Sequence, residues 1–143
     1  MSDSYKYHAI QLVAIKVLEL SIKVNPDIDQ DKIPENDSFN FWHTHNTYNS
    51  EEKTIALKVG VKIDEEDNSP FQLSVELIGV FTVDEDLFPI EHINQFARQN
   101  APLILYPYLR EHVYTLTNRA EYPSVMLPLF EVPAFKIASD QKT

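Results

Sequence analysis

Hydropathy that alternates with a period of two runs through most of the first 84 residues and commits that part of the chain to strands. Phe71, Leu73, Val75, Leu77, Phe81 and Val83 fall on one face of a segment whose other face carries Gln72, Ser74 and Glu76, the pattern of a strand with one side in a core. Leu57, Val59, Val61 and Ile63 form one face of a segment over about 53–63, with Lys58, Gly60 and Lys62 opposite. Leu18, Leu20, Ile22 and Val24 alternate with Glu19, Ser21 and Lys23, whereas the preceding stretch, His8 to Val17, reads as apolar on both sides. These two pieces predict one long strand with a bulge or break near Lys16. Ser38 to Tyr48 is an aromatic-rich strand with Phe39 and Phe41 on one face and Asn40 and Trp42 on the other. Polar turns at Asn46–Glu52 and Asp64–Pro70, and an acidic loop from Asn25 to Asp37, separate the strands. Consecutive strands joined by short turns pair antiparallel, so a four-stranded antiparallel sheet is expected over residues 7–84.

After Asp84-Glu85-Asp86 the spacing becomes helical. Ile90, Ile93 and Phe96-Ala97 predict a short amphipathic helix ending at Asn100, and Leu105, Leu109, Val113 and Leu116 predict a longer one. Pro107 leaves two possibilities: the second helix starts there, where no amide donor is needed, or it starts near Pro102 and is kinked. The helices occupy 90–120, and the proline-rich remainder, 121–143, reads as an extended tail. The whole is a single domain of the α+β class: four antiparallel strands followed by one short and one long helix.

Composition narrows the function. The 143 residues carry 12 Lys and Arg against 22 Asp and Glu, a formal charge of −10, which repels phosphate backbones and anionic lipid headgroups. Nucleic acid and membrane surfaces are therefore not expected partners. Absence of cysteine removes disulfides, thiolate nucleophiles and cysteine-ligated metals. The first apolar stretch is interrupted by Lys16, Glu19 and Lys23, unlike a signal peptide or a spanning helix, so the expected compartment is the cytoplasm.

No residue set offers catalysis. His43 and His45 leave one face of a strand at a spacing able to chelate a divalent metal, yet two ligands are one short of catalytic zinc and two short of structural zinc. His112, between Glu111 and Val113, reads as a partly exposed helical residue. The acidic runs at 64–67 and 84–86 sit where strands end and read as solvated turns. Two glycines, Gly60 and Gly79, make no phosphate-cradling loop, and Gly79 reads as a bulge or a close backbone approach. A protein without catalytic activity, metal or cofactor is expected.

More informative is an apolar surplus. Val13, Ile15, Val17, Phe39, Phe41, Trp42, Ile78 and Val80 populate both faces of several strands, more than two helices can cover. Self-association accounts for part of it; acceptance of extended apolar segments from other chains is the functional alternative, with Val13, Ile15, Phe39, Phe41 and Trp42 as candidate groove residues.

Leu105-Tyr106-Pro107-Tyr108-Leu109-Arg110-Glu111, then Asn118-Arg119 and Tyr122-Pro123-Ser124-Val125-Met126-Leu127-Pro128, together with Gly79-Val80-Phe81 closing the fourth strand, resemble the bacterial SecB export chaperones. The resemblance is carried by Phe71 to Leu129, and the first three strands agree in order and length. It implies a sheet-plus-helix protomer, assembled as a dimer or a dimer of dimers, that holds non-native polypeptides in apolar grooves without ATP. Tyr106, Tyr108, Leu109, Val113 and Leu116 would lie at the helical interface between protomers, and Arg110, Glu111 and Arg119 would set the helix and its packing. In the family, acidic residues on the first strand and a Leu-x-Glu on the fourth help dock the motor SecA. Here those positions hold Glu19 and Lys23, then Gln72 and Ser74, and the family glycine after the arginine is Ala120. The short carboxyl end hardly provides the family's final helix. These departures weigh against SecA docking and fit SecB-like chaperones that protect an antitoxin, or related interaction proteins without general clients.

Overall fold

The computed structural model describes residues 6–27, 39–63, 69–122 and 125–128. Four strands, β1 (Ile10–Val24), β2 (Asn40–His45), β3 (Thr54–Ile63) and β4 (Phe71–Val83), form one antiparallel sheet in the order β1-β4-β3-β2. A single 3-10 turn (Ile90–His92) leads into α1 (Ile93–Gln99), and α2 (Ala101–Arg119) follows after Asn100. The α+β class and the succession of a sheet, a short helix and a long helix are as the periodicity predicts. Most of the acidic loop after Asn25, the 64–68 turn and most of the carboxyl-terminal tail lie outside the described residues.

Strand β4 alternates buried and half-buried residues over its full length, and β3 matches it in continuous register from Thr54 opposite Thr82 to Ile63 opposite Leu73. β2 is shorter than the predicted 38–48, running only from Asn40 to His45, because Asn46 leaves the ladder and its side-chain oxygen accepts the Ala56 amide at 2.9 Å. In the connection to β3, Asn49 Oδ1 accepts the Glu51 and Glu52 amides, both at 3.0 Å, and Lys53 closes the turn at φ 56°.

β1 departs most from the sequence reading. Its register against β4 shifts twice, between Leu12 and Ala14 and between Val17 and Glu19, leaving Val13 and Leu18 as extra residues. Each bulge reverses the parity of the strand. Ile10, Leu12, Ile15, Val17, Leu20, Ile22 and Val24 therefore share the face of the buried β4 residues, opposite Val83, Phe81, Gly79, Leu77, Val75, Leu73 and Phe71. The segment before Lys16 is not apolar on two faces, and Leu18 does not belong to the row of Leu20, Ile22 and Val24. The bulge or break expected near Lys16 is observed as a pair of bulges flanking it.

The core lies between this face and the helices, with Leu57, Val61, Val75, Leu77, Leu105 and Val113 among its fully buried members. Phe81 and Phe96 meet edge to face, their ring centroids 5.5 Å apart. Of the two possible starts for the second helix, the earlier is observed: Pro102 sits in its first turn and Pro107 inside it. Lacking an amide proton, Pro107 cannot bond the Leu103 carbonyl. Gly79 is no bulge. A Cβ there would stand 2.8 Å from Leu105 Cδ2, so the glycine admits close approach of α2 to β4.

α2 ends at Ala120, and Glu121 takes the left-handed conformation (φ 65°), which lets the Tyr122 amide bond the Thr117 carbonyl at 3.0 Å. Tyr122 stacks on Phe71 and donates its hydroxyl to the Pro70 carbonyl at 2.9 Å. Residues 125–128 are strapped to the helix: Thr117 Oγ1 accepts the Val125 amide at 3.0 Å, Arg110 Nε donates to the Leu127 carbonyl at 3.2 Å, and the Tyr106 hydroxyl donates to the Pro128 carbonyl.

Candidate functional site

The helices do not reach across the whole sheet. Val17 is 47% exposed although its cross-strand partner Leu77 is fully buried, Leu20 is 42% exposed opposite buried Val75, and Val24 is 41% exposed opposite buried Phe71. An apolar row on the core side of β1 is thus left open to solvent, and the bulge residues Val13 and Leu18 are exposed beside it. β1 is also an edge of the sheet, so among the described residues its outer backbone groups have no neighbouring strand.

Helical periodicity supplies the opposing wall. Leu105, Leu109 and Val113 face the sheet and are buried. Tyr106 meets Phe41 of β2, with ring centroids 5.9 Å apart, and with Arg110 and Thr117 holds the 125–128 segment. That flank is therefore turned toward β2. The other flank carries Ile104, Tyr108, His112 and Leu116, and Ile104 and Tyr108 are exposed. Open apolar surface exists on the β1 strip and on this flank. The outward side of α2 has a further shallow depression lined by Pro107, Arg110, Glu111, Tyr114, Thr115 and Met126.

The five candidate groove residues do not form one surface. Val13 is an exposed bulge and Ile15 a half-buried member of the β1 strip. Phe39 is buried and Phe41 packs on Tyr106, both on the helix side of β2. Trp42 is on the opposite side of the sheet, laid over Gly60, where a Cβ would fall 2.4 Å from its ring. The five candidate interface residues divide likewise. Tyr106, Leu109 and Val113 are buried within the protomer, Leu116 is half-buried, and Tyr108 is exposed. Arg110 lies over the Tyr106 ring at 5.9 Å as well as bonding Leu127, so it organises the strap. Glu111 accepts from Thr115 at 3.3 Å. Residue typing alone did not single out Leu20 and Val24, although the alternation that includes them was plain.

His43 lies opposite Val59 and His45 opposite Leu57, so the two imidazoles do share a face. His45 Nδ1 is 2.8 Å from the Asn46 carbonyl. Partial burial, and secondarily the neighbouring His45, lower the pKa of His43 from 6.5. Among the described residues no group of three or more His, Cys, Asp or Glu is placed to hold a metal. No helix among them is long and apolar enough to cross a membrane.

These features define a class: an α+β subunit in which a helix pair covers one sheet face incompletely and a strip of edge strand stays open to solvent. A family model described as preprotein translocase subunit SecB matches residues 3–135, and the chain belongs to the SecB family. It is 27% identical to the protein-export protein SecB of Nitrosomonas europaea over 128 residues, covering 88% of this chain and 78% of that one. It is 41% identical to an uncharacterised protein of Methanocaldococcus jannaschii over 78 residues, 54% of this chain and 48% of the archaeal one. The match thus spans about half the archaeal relative's length. Among solved structures, a SecB-like chaperone of Mycobacterium tuberculosis in complex with a ChAD peptide from the HigA1 antitoxin superposes with a TM-score of 0.63 at 18% identity, over 86% of this chain and 91% of that chain. A Streptococcus agalactiae protein of unknown function gives 0.54 at 16% identity, over 84% and 97%. The fold is that of a SecB-like chaperone.

Proposed function

We propose that this chain is an ATP-independent chaperone of the cytoplasm that holds extended, non-native polypeptide on the β1 strip and the adjoining flank of α2, within an assembly of two or four copies. One observation carries the proposal: Val17, Leu20 and Val24 stay open while their partners across the ladder are sealed. An extended segment laid there gains apolar burial and backbone hydrogen bonds along the edge of β1. Holding such a segment lowers the free concentration of aggregating chain, which needs no turnover. Val13 and Ile15 extend the strip toward the start of β1; Trp42, on the other face, would take part only through a separate contact. A second copy competes for the same surface, with Tyr108 and Ile104 as the interface residues most exposed for it.

The antitoxin peptide held by the mycobacterial structure favours a dedicated client over a broad export set. SecA forms no part of the proposal. Of the positions that the family resemblance assigns to motor docking, Lys23 reverses the charge, Gln72 and Ser74 are uncharged, and Glu19 is already bonded by Ser74 Oγ at 2.9 Å.

The test pairs a measured particle mass with light scattering of a reduced, denatured client. Suppression of aggregation near stoichiometric ratio, weakened at least about fivefold by Leu20→Ser without loss of folding, is expected. Failure of the wild-type assembly to suppress aggregation at any ratio overturns the proposal and leaves a closed oligomer whose copies consume the strip.

A further inference from the structure

Among the described residues, the sheet face turned away from the helices carries more lysine than carboxylate, the reverse of the balance in the whole protein. The register places Lys16 and Lys58 on either side of Ile78, Lys62 beside Ser74 and Lys23 beside Gln72, all on that face. Glu19 and Glu76 are its acidic side chains. Among the described residues of this face, and leaving aside Lys62, which is engaged in an interaction of its own, Lys16, Lys23 and Lys58 outnumber the two glutamates in a chain of net −10. The Glu19 carboxylate is further occupied by the Ser74 and Ser21 hydroxyls, at 2.9 and 3.3 Å. Among the described residues no ion pair engages Lys16, Lys23 or Lys58. Ile78 and Val80 form a half-buried apolar line along β4 on this face, with Trp42 lying on Gly60 to one side. Lys16 and Lys58 stand about 10 Å apart, two strand spacings, with that line between them.

We propose that this face docks an extended acidic segment of a partner protein, laid along β4 so that its apolar residues meet Ile78 and Val80 and its carboxylates reach Lys16 and Lys58. Charge complementarity selects the occupant: a basic or neutral segment gains nothing from the lysines, whereas an acidic one is repelled by most of the remaining surface and is steered here. The surface is on the other side of the sheet from the β1 strip, and the inference stands without the chaperone reading.

Trp42 is the sole tryptophan of the chain and sits on this face, so its emission reports occupancy directly. The probe is a twelve-residue peptide of alternating Glu and Leu, compared with its Lys–Leu counterpart on the full chain at low salt. The acidic peptide is expected to bind at least about tenfold more tightly, to shift the Trp42 emission, and to weaken as ionic strength rises. Lys16→Glu with Lys58→Glu should abolish that preference while leaving particle mass and aggregation suppression unchanged. Lys16→Gln with Lys58→Gln, which adds no new charge, should weaken binding in the same direction. Equal affinity for the two peptides, or undiminished binding by both double variants, overturns the proposal. So does loss of acidic-peptide binding in Leu20→Ser alone, which would put the peptide on the β1 strip. A mass increase with concentration that the double variants remove would assign the face to a second copy instead, and also overturns it.

Discussion

Strands β1 and β4 lie side by side, are about equally apolar, and differ in what happens to that apolarity. On β4 every other side chain is sealed, whereas across the ladder on β1 Val17, Leu20 and Val24 remain open over nearly half their surface. Hydropathy is the same on both sides of the ladder; what differs is the position of α2, which Gly79 draws close to β4 through Leu105. Sequence pattern decides which face of a strand is apolar, and coverage by the next layer decides whether that face is core or binding surface.

The sharpest way to break this comparison is to truncate both members of one pair. Leu77→Ala is expected to lower unfolding stability by about 3 kcal/mol, since it empties fully enclosed space. Val17→Ala should cost under about 1 kcal/mol and instead reduce assembly or client holding. Equal costs in chemical denaturation would mean that β1 is as enclosed as β4. Next in size, Thr117→Val removes the acceptor of the buried Val125 amide and should cost about 1–3 kcal/mol, accompanied by faster proteolysis at 125–128. Glu121→Gly relieves a non-glycine residue in the left-handed region and should raise stability by about 0.5–1 kcal/mol, read as an increase in the denaturation midpoint. The smallest effect concerns His43 on the helix side of β2. Its folded pKa lies below 6.5, so below that pH the unfolded chain takes up a proton that the folded chain resists, and stability falls as pH drops. His43→Gln should flatten the slope of stability against pH between about 6.5 and 5 without altering the value at pH 8.

How much of this could be read from residues depends on the kind of information each element needs. β3 and β4 were legible because their alternation runs unbroken, and so were the two helices. The first piece of β1, His8 to Val17, reads as apolar on both faces, and a bulge or break is expected near Lys16, but that two bulges fall at Val13 and Leu18 has no hydropathy signature, so counting by two from Val13 to Val24 crosses parity unseen. Pro107 left the start of α2 open, and only the burial of Ala101 and Leu105 against the sheet settles it. The candidate site was less legible. Phe41 and Trp42 are adjacent aromatics that the sheet sends to opposite sides, and Leu109 and Val113 fit an interface pattern yet fill the protomer's own core. Whether an apolar side chain is spare depends on where a helix some 80 residues later comes to rest, which no local pattern contains.

The twin insertions in β1 also make the strand a counting device. Val13 or Leu18 could be removed without turning either half of the row, since Leu12 and Ala14, and Val17 and Glu19, already face consecutive β4 residues, whereas losing one residue from Leu20 through Val24 would send the part beyond the loss to the lysine-bearing side. A frame error of one amino acid outside the two bulges would thereby exchange an oily lane for a charged one midway along the molecule, and mutational scanning should find single-residue deletions tolerated at Val13 and Leu18 and far less tolerated elsewhere along β1.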